Sequence, residues 1–413
     1  MPELFTITTH NINPKQATEK KYLEIKKRIL DEIENTNEGK KIRSLGVIRD
    51  EKNLNTAIKI AYNLRKNFTS LYVFGMGGSV LAGKAMLGLE SYFGNKDLEK
   101  RVEFIDYLDP IEINQKFSSI DEDTCFLFIS KSGETSETIS LYYALKTYLK
   151  DKIFFKNNCY FIVGEGQNSL REIAEKNHKK ENIFVHESEI GGRFSFFSLV
   201  GLVPSGFMGF DVEKILAGAD ETIKNFSLPN SQIHKAILAT LNSIDEINAY
   251  VFMPYITGLK DFNLVLCQIW GESIGKDGFG IMPYPAIGTA DQHSQLQLYL
   301  DGQKNKLIEI IGVKNFGQNL SIGKVKKSDF LNNKNLAQVL QAHLKGTISA
   351  LVDKKQRVKY IELKTLDEKT IGGLFAYYFL NTISSCYYLN LNPFNQPGVE
   401  LIKKYAIKNL YEV

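Results

Sequence analysis

Along the chain, short and almost wholly apolar runs alternate with longer stretches whose apolar residues recur every three or four positions. The first kind reads as buried strands and the second as helices, the pattern of a parallel sheet with helices on its faces. Runs at 71–75, 102–107, 125–130, 160–164 and 183–186 are the first set of predicted strands, with helical patterns near 55–67 and between most of them. Five strands with crossover helices predict one doubly wound domain ending near residue 205. A second cycle opens around Asp211. Helical patterns cover about 212–225 and 231–247, followed by a strand at 250–256 and a helix through Trp270. Strands at 307–313 and 358–363 come next, with helices near 335–350 and 368–387. A polar helix at 17–36, with a Gly/Lys/Arg loop after it, precedes both cycles. The tail from 396 to 412 reads as a helix opened by Pro397, a residue suited to a first helical turn.

The expected fold is therefore α/β: two doubly wound, mostly parallel-sheet subdomains with flanking helices and a C-terminal helix. The expected divisions are a helical segment over 1–50, domains over 51–208 and 209–390, and a C-terminal helix over 391–413.

Charge and composition narrow the function. The 51 basic residues nearly cancel the 47 acidic ones, for a net charge of +4 over 413 residues. No concentrated basic face is implied, so nucleic acid is not an expected partner. No run reaches the roughly 18 apolar residues of a membrane span, and the N-terminus has neither the basic nor the apolar region of a signal peptide. Cys125, Cys159, Cys267 and Cys386 lie far apart with no CxxC or Cys/His ligand spacing. They read as reduced thiols, which points to the cytoplasm.

Two glycine- and hydroxyl-rich turns carry the first chemical signal. Gly75-Met-Gly-Gly-Ser79 follows one predicted strand and precedes a helix, where backbone amides and the helix dipole can converge on an anion. By itself it reads equally well as a tight turn. It is not the dinucleotide pattern GxGxxG, since the last glycine position holds Val80. Ser130-Lys-Ser-Gly-Glu-Thr-Ser-Glu-Thr138 follows another strand, with more hydroxyls than helix capping needs. Without the GxxxxGK[ST] of phosphoryl transfer, such a turn suits a phosphate that is held and not moved. Two such turns at strand ends point to one shared crevice.

The segment SKSGET after a buried strand resembles the signature of the sugar isomerase (SIS) domain. Four later segments sharpen the resemblance: Gly191-Gly-Arg-Phe-Ser195, Gly271-Glu-Ser-Ile-Gly-Lys276, Asp291-Gln-His-Ser294 and Asn392-Pro-Phe-Asn-Gln-Pro-Gly-Val-Glu-Leu-Ile-Lys403. In that order, over roughly 70–405, they resemble the glucose-6-phosphate isomerase family. The resemblance implies two SIS-type subdomains and reversible interconversion of glucose 6-phosphate and fructose 6-phosphate through ring opening and a cis-enediolate. It implies a homodimer with a shared active site, and since the sequence holds no metal-ligand cluster, no metal or organic cofactor is expected.

Each candidate residue has a plainer reading beside this one. Glu272 is a residue type suited to shuttling a proton between adjacent carbons, and the resemblance implies that it is the base; otherwise it is a helix-end glutamate. His293 can act as an acid near neutrality, and in the family the corresponding histidine assists ring opening from the partner subunit; a lone histidine is more often structural. Arg193 can stabilise an enediolate or merely order a loop. Lys403, implied as the second ring-opening residue, and Gln396, implied to contact substrate, rest on the resemblance alone. Seen without it, Lys403 lies on a solvated helix face. For the phosphate, the resemblance implies Ser130, Ser132 and Thr135 with Gly78 and Ser79. Longer family members read closer to SKTFTT, so Gly133 and Glu134 depart from the pattern.

Three rivals share parts of this signal. A dual-specificity phosphoglucose/phosphomannose isomerase would also carry SKSGET. A non-catalytic SIS sensor of sugar phosphates would lack the Glu/His/Lys set and carry a DNA-binding segment. A nicotinamide-dependent dehydrogenase could use Asp106 or Asp109 at the second strand but lacks the third glycine.

Overall fold

The computed structural model describes residues 4–34, 42–93, 100–150, 153–325 and 329–412. The loop expected after the first helix lies outside these residues. Two compact units are present, each built on a five-stranded sheet. Unit 1 comprises Met1–Leu30, Thr222–Leu366 and Ala376–Val413, and unit 2 comprises Asp31–Glu221 and Asp367–Phe375.

The sheet of unit 2 uses β2 (Ser70–Phe74), β3 (Arg101–Ile105), β4 (Thr124–Ser130), β5 (Cys159–Gly164) and β6 (Ile183–His186). Its order is β3-β2-β4-β5-β6, all parallel. Every residue of β2 and β4 is buried, which is why these central strands read as unbroken apolar runs. Phe74, Phe128 and Phe161 stand in register across three strands, with ring centroids 4.7 and 5.4 Å apart. From β2 the chain runs outward to β3, then returns to β4 and proceeds the other way. The strand order thus reverses between β2 and β4, where doubly wound sheets open a ligand crevice.

In unit 1 the strands are β1 (Phe5–His10), β7 (Ala249–Pro254), β8 (Met282–Pro285), β9 (Lys306–Asn315) and β10 (Arg357–Thr365), ordered β1-β10-β9-β7-β8. All pairings are parallel except that of β1 with β10. The expected α/β class, mostly parallel sheets and C-terminal helix are all present. β1 and β8 are additions. FTITTH has four polar residues in six and lies on a sheet edge, and MPYP is four residues with two prolines, so neither makes an apolar run.

At the centre of this sheet, Glu309 of β9 and Lys359 of β10 are paired in register, both fully buried and 2.5 Å apart. Tyr250 donates to Glu309 at 2.9 Å, and Tyr378 donates to its other oxygen. Lys359 donates to Thr240 and to Tyr377, each at 2.8 Å. Buried charges persist only when so fully hydrogen-bonded. Among the described residues no helix is long and apolar enough to cross a membrane.

Candidate active site

In unit 2 the turn between β4 and the helix Ser136–Tyr148 is organised by its own hydroxyls. Ser130 Oγ lies 3.1 Å from Thr135 Oγ1 and accepts from the Gly133 amide at 3.1 Å. Ser132 Oγ lies 3.4 Å from Thr135 Oγ1 and accepts from the Glu134 amide at 3.1 Å. Thr135 occupies the N-cap position, yet its side chain makes no capping bond. Its hydroxyl turns to the two serines, so it does not compete with an anion for the first amides of the helix.

Gly133 and Glu134, the two departures from the family's pattern, have structural roles. Gly133 has φ +67°, and a Cβ there would lie 1.8 Å from Asn168 Oδ1. Glu134 accepts from both the amide and the hydroxyl of Ser169, at 2.7 and 2.6 Å, at the start of the helix Ser169–Asn177. Asn168 caps the same helix by accepting from the Arg171 amide at 3.0 Å. The phosphate-type turn is thereby fastened to its neighbour, and the Glu134 carboxylate is directed to helix amides, where a negative charge is favoured.

The glycine turn after β2 passes over the end of β4. A Cβ on Gly75 would lie 2.9 Å from the Ile129 carbonyl oxygen. Gly77–Ser79 then form one 3-10 turn. A Cβ on Gly78 would meet the Gly192 carbonyl oxygen, and Ser195 Oγ donates to Gly78 O at 3.2 Å and to Gly192 O at 2.7 Å. The turn that carries Ser79 and the turn that carries Arg193 are thus in direct contact. Arg193 is buried at 4% exposure, its guanidinium 5.3 Å from the Phe194 ring.

Lys131, not singled out among the sequence candidates, belongs here as well. Although the residue is exposed overall, partial burial of its ammonium, followed by the charge of Arg193, lowers its pKa. Unit 2 therefore gathers hydroxyls, helix amides and two cations at the ends of β2 and β4. The sequence signal for Lys131 is its place between Ser130 and Ser132, in a turn whose dominant pattern is hydroxyl.

Behind the site, His186 ends β6 and is buried at 3% exposure, its Nδ1 3.1 Å from the Glu187 carbonyl oxygen. Burial pushes its pKa down to about 4, so the ring is neutral. Glu187 is held by the Arg43 guanidinium at 2.5 Å.

In unit 1, Glu272 lies half-buried in the last turn of the helix Lys260–Ile274. Gln268, one turn earlier, donates to its Oε1 at 2.9 Å. That turn is anchored on several sides. The Trp270 indole donates to Ile281 O at 3.1 Å, Ser273 Oγ donates to Pro393 O at 3.3 Å, and Lys276 donates to Asn392 O. The chain leading to Gln396 therefore starts against the end of the Glu272 helix.

His293 follows the 3-10 turn Ala290–Gln292 beyond β8. Asp291 fixes the turn by accepting from the Ile287 amide and from Ser294 Oγ, each at 2.7 Å. The imidazole is exposed on the wall of a cavity of about 700 Å³ that His343 also lines. Lys403 stands on the exposed helix Gly398–Leu410, 2.7 Å from Glu400. Neither His293 nor Lys403 is bonded to Glu272 among the described residues.

The pattern described as Phosphoglucose isomerase matches residues 60–412. A probable glucose-6-phosphate isomerase from Methanococcus maripaludis is 34% identical over 355 residues, covering 83% of this chain and 78% of that protein. Among solved structures, a hypothetical protein from Thermus thermophilus superposes with a TM-score of 0.87 at 26% identity, over 98% of this chain and 99% of that one. A glucose-6-phosphate isomerase from Chlamydia trachomatis has the same fold, with a TM-score of 0.83 at 20% identity over 99% of this chain and 89% of that one.

Proposed function

The chain belongs to the phosphoglucose isomerase family, and from this membership we propose its function residue by residue. It is an aldose–ketose isomerase that interconverts glucose 6-phosphate and fructose 6-phosphate. The observation that carries this reading is the match over residues 60–412, within which every chemical group the reaction needs has a residue of the right type.

The phosphate is held by Ser130, Ser132 and Thr135 with the amides of Gly78 and Ser79, and Lys131 adds charge. Gln396 contacts the sugar. His293 and Lys403 open the ring, one delivering a proton to the ring oxygen as the anomeric hydroxyl loses its own. Glu272 then takes the proton from carbon two of the aldose and returns it to carbon one, so that the carboxylate is regenerated each turnover. Arg193 balances the enediolate charge between those two transfers. No residue in this scheme forms a covalent bond to substrate.

The active protein is a homodimer whose sites each take His293 from the second copy. What supports this is that His293 and Lys403 are both exposed in a single chain. The four cysteines are free, which supports a reducing, cytoplasmic compartment.

A coupled assay on fructose 6-phosphate without added metal, detecting glucose 6-phosphate and mannose 6-phosphate separately, tests the proposal. Glucose 6-phosphate as the dominant product is expected. Comparable mannose 6-phosphate would make the enzyme dual-specific, and neither product would leave a sugar-phosphate sensor in its place.

A further inference from the structure

Between the end of β6 and the helix Leu199–Phe207, Arg193 is carried by a run of short turns. The amides of Ile190, Phe194, Ser195 and Ser198 bond to the carbonyls of Glu187, Gly191, Gly192 and Ser195 at 2.9 to 3.2 Å. Two glycines stand immediately before Arg193, and packing demands neither. A Cβ on Gly192 would meet nothing within 4 Å, and one on Gly191 only Phe194, at 3.9 Å. Glycines that nothing crowds leave the backbone free to reorient, so the place of Arg193 depends on what holds the loop from outside. On one side that support is the Gly78 turn.

The other support comes from the segment that begins at Arg43. Arg43 lays two guanidinium nitrogens on the Glu187 carboxylate, Nε on one oxygen at 2.5 Å and Nη2 on the other at 3.1 Å, and Nη2 also donates to Asp50. Its side chain is only 18% exposed, and such a two-pronged pair has a fixed geometry that a surface pair lacks. Asp50 accepts from the Asn53 amide at 3.1 Å and so caps the helix Glu51–Asn67. Asn53, buried in the first turn of that helix, donates to the Phe197 carbonyl oxygen at 3.0 Å. The far end of the same helix is fastened too, where Arg65 donates to Phe207 O at 2.5 Å. One connected set of hydrogen bonds thus grips Glu187 before Arg193 and Phe197 after it.

We propose that Arg43 is a positioning residue for the isomerisation, and that Arg43, Asp50 and Asn53 act as one clamp on the loop that presents Arg193. Arg43 itself is taken up by two carboxylates, so it acts through Glu187 and not on substrate. With both ends of the loop fixed, the Arg193 guanidinium is already aimed, and no reordering is needed as negative charge develops. A lysine at position 43 would supply charge but not the fork that sets the orientation of the Glu187 carboxylate. The inference rests on the role given to Arg193 above and extends it to residues outside the substrate pocket.

The test is a double-mutant cycle of Arg43→Lys and Arg193→Gln in the full chain. It is read by turnover of fructose 6-phosphate and by calorimetric binding of inorganic phosphate and of 5-phosphoarabinonate, whose carboxylate offers a charge like that of an enediolate. A small displacement of a reacting group can cost about 100-fold, so Arg43→Lys should lower kcat and the affinity for 5-phosphoarabinonate by at least about tenfold. Phosphate affinity should stay within about twofold of the parent. In the Arg193→Gln background the same substitution should change neither readout further. Asn53→Ala, which frees the other end of the loop, should repeat the pattern even if Arg43→Lys does not fold. Arg49→Gln, which removes the neighbouring ion pair to Asp220 at 2.6 Å, is the control and should leave both readouts unchanged. Losses that add to those of Arg193→Gln would overturn the proposal, as would a lowered Tm with intact kinetics in the Arg43 and Asn53 variants. An impaired Arg193→Gln beside unimpaired clamp variants would overturn the clamp alone, whereas an unimpaired Arg193→Gln would overturn the role of Arg193 and the clamp together. A parent that binds 5-phosphoarabinonate without isomerising would remove the function, and the binding cycle would still decide the clamp.

Discussion

Gly78 approaches Gly192 so closely that a Cβ added at residue 78 would lie 2.1 Å from the Gly192 carbonyl oxygen and 2.6 Å from the Arg193 amide. All of these neighbours are backbone, so no side chain can swing aside. Gly78→Ala is expected to force the glycine turn and the Arg193 turn apart, at a local cost of about 1–3 kcal/mol. The Michaelis constant for fructose 6-phosphate should rise at least tenfold with a lowered Tm, and unchanged kinetics would show that the contact does not serve the site.

Glu134 is expected to act through Ser169 and not on substrate, given its two bonds of 2.7 and 2.6 Å to the helix start. Glu134→Ala should cost about 1 kcal/mol, the usual value of a lost cap. Removing the loop hydroxyls by Ser132→Ala together with Thr135→Ala should weaken substrate binding far more than it changes Tm. Thermal unfolding and Michaelis constants measured on both variants separate the two roles. Equal loss of binding in both would contradict them.

The difference between these two loop positions shows where the sequence was legible. β2 and β4 were readable because both faces are buried, which confines their polar residues, Ser70, Thr124 and Ser130, to the strand ends. The hydroxyl turn was readable because its side chains are chemically redundant. What Gly133 and Glu134 do was not, since it depends on Asn168 and Ser169, some 35 residues away in sequence and brought near by the parallel pairing of β4 and β5. Glu272 could be placed at a helix end, but Gln268 beside it gave no signal beyond a helical spacing of four. The apolar face of the C-terminal helix stands in the sequence, whereas its exposure is a tertiary fact.

Glu309 and Lys359 depend on one another for burial. Lys359→Met is expected to strand a carboxylate at zero exposure and cost about 3–5 kcal/mol. Adding Glu309→Leu should restore much of that, because the unpaired charge is then gone. Thermal unfolding of the single and double variants checks this. A double variant less stable than Lys359→Met would mean that the three tyrosines need the charges more than the charges need each other.

His186 makes stability depend on pH with a definite sign. Its folded pKa of about 4 lies below the unfolded value of 6.5, so between these limits only the unfolded chain takes up the proton. Its contribution is complete above about pH 6.5 and is lost as the pH falls towards 4, by about 3 kcal/mol in all. His186→Gln should flatten this part of the stability profile between pH 7 and 4.5. An unchanged slope would mean that the ring is not held neutral.

The central claim is that Glu272 moves the proton. The most direct measurement pairs the turnover of Glu272→Gln with calorimetric binding of a non-isomerising sugar phosphate such as 5-phosphoarabinonate. Loss of general acid–base catalysis is worth about 10²–10⁴-fold, so kcat should fall by at least a hundredfold while affinity stays within about threefold of the parent. Retained turnover would contradict the account, as would a loss of affinity that alone explains the loss of rate.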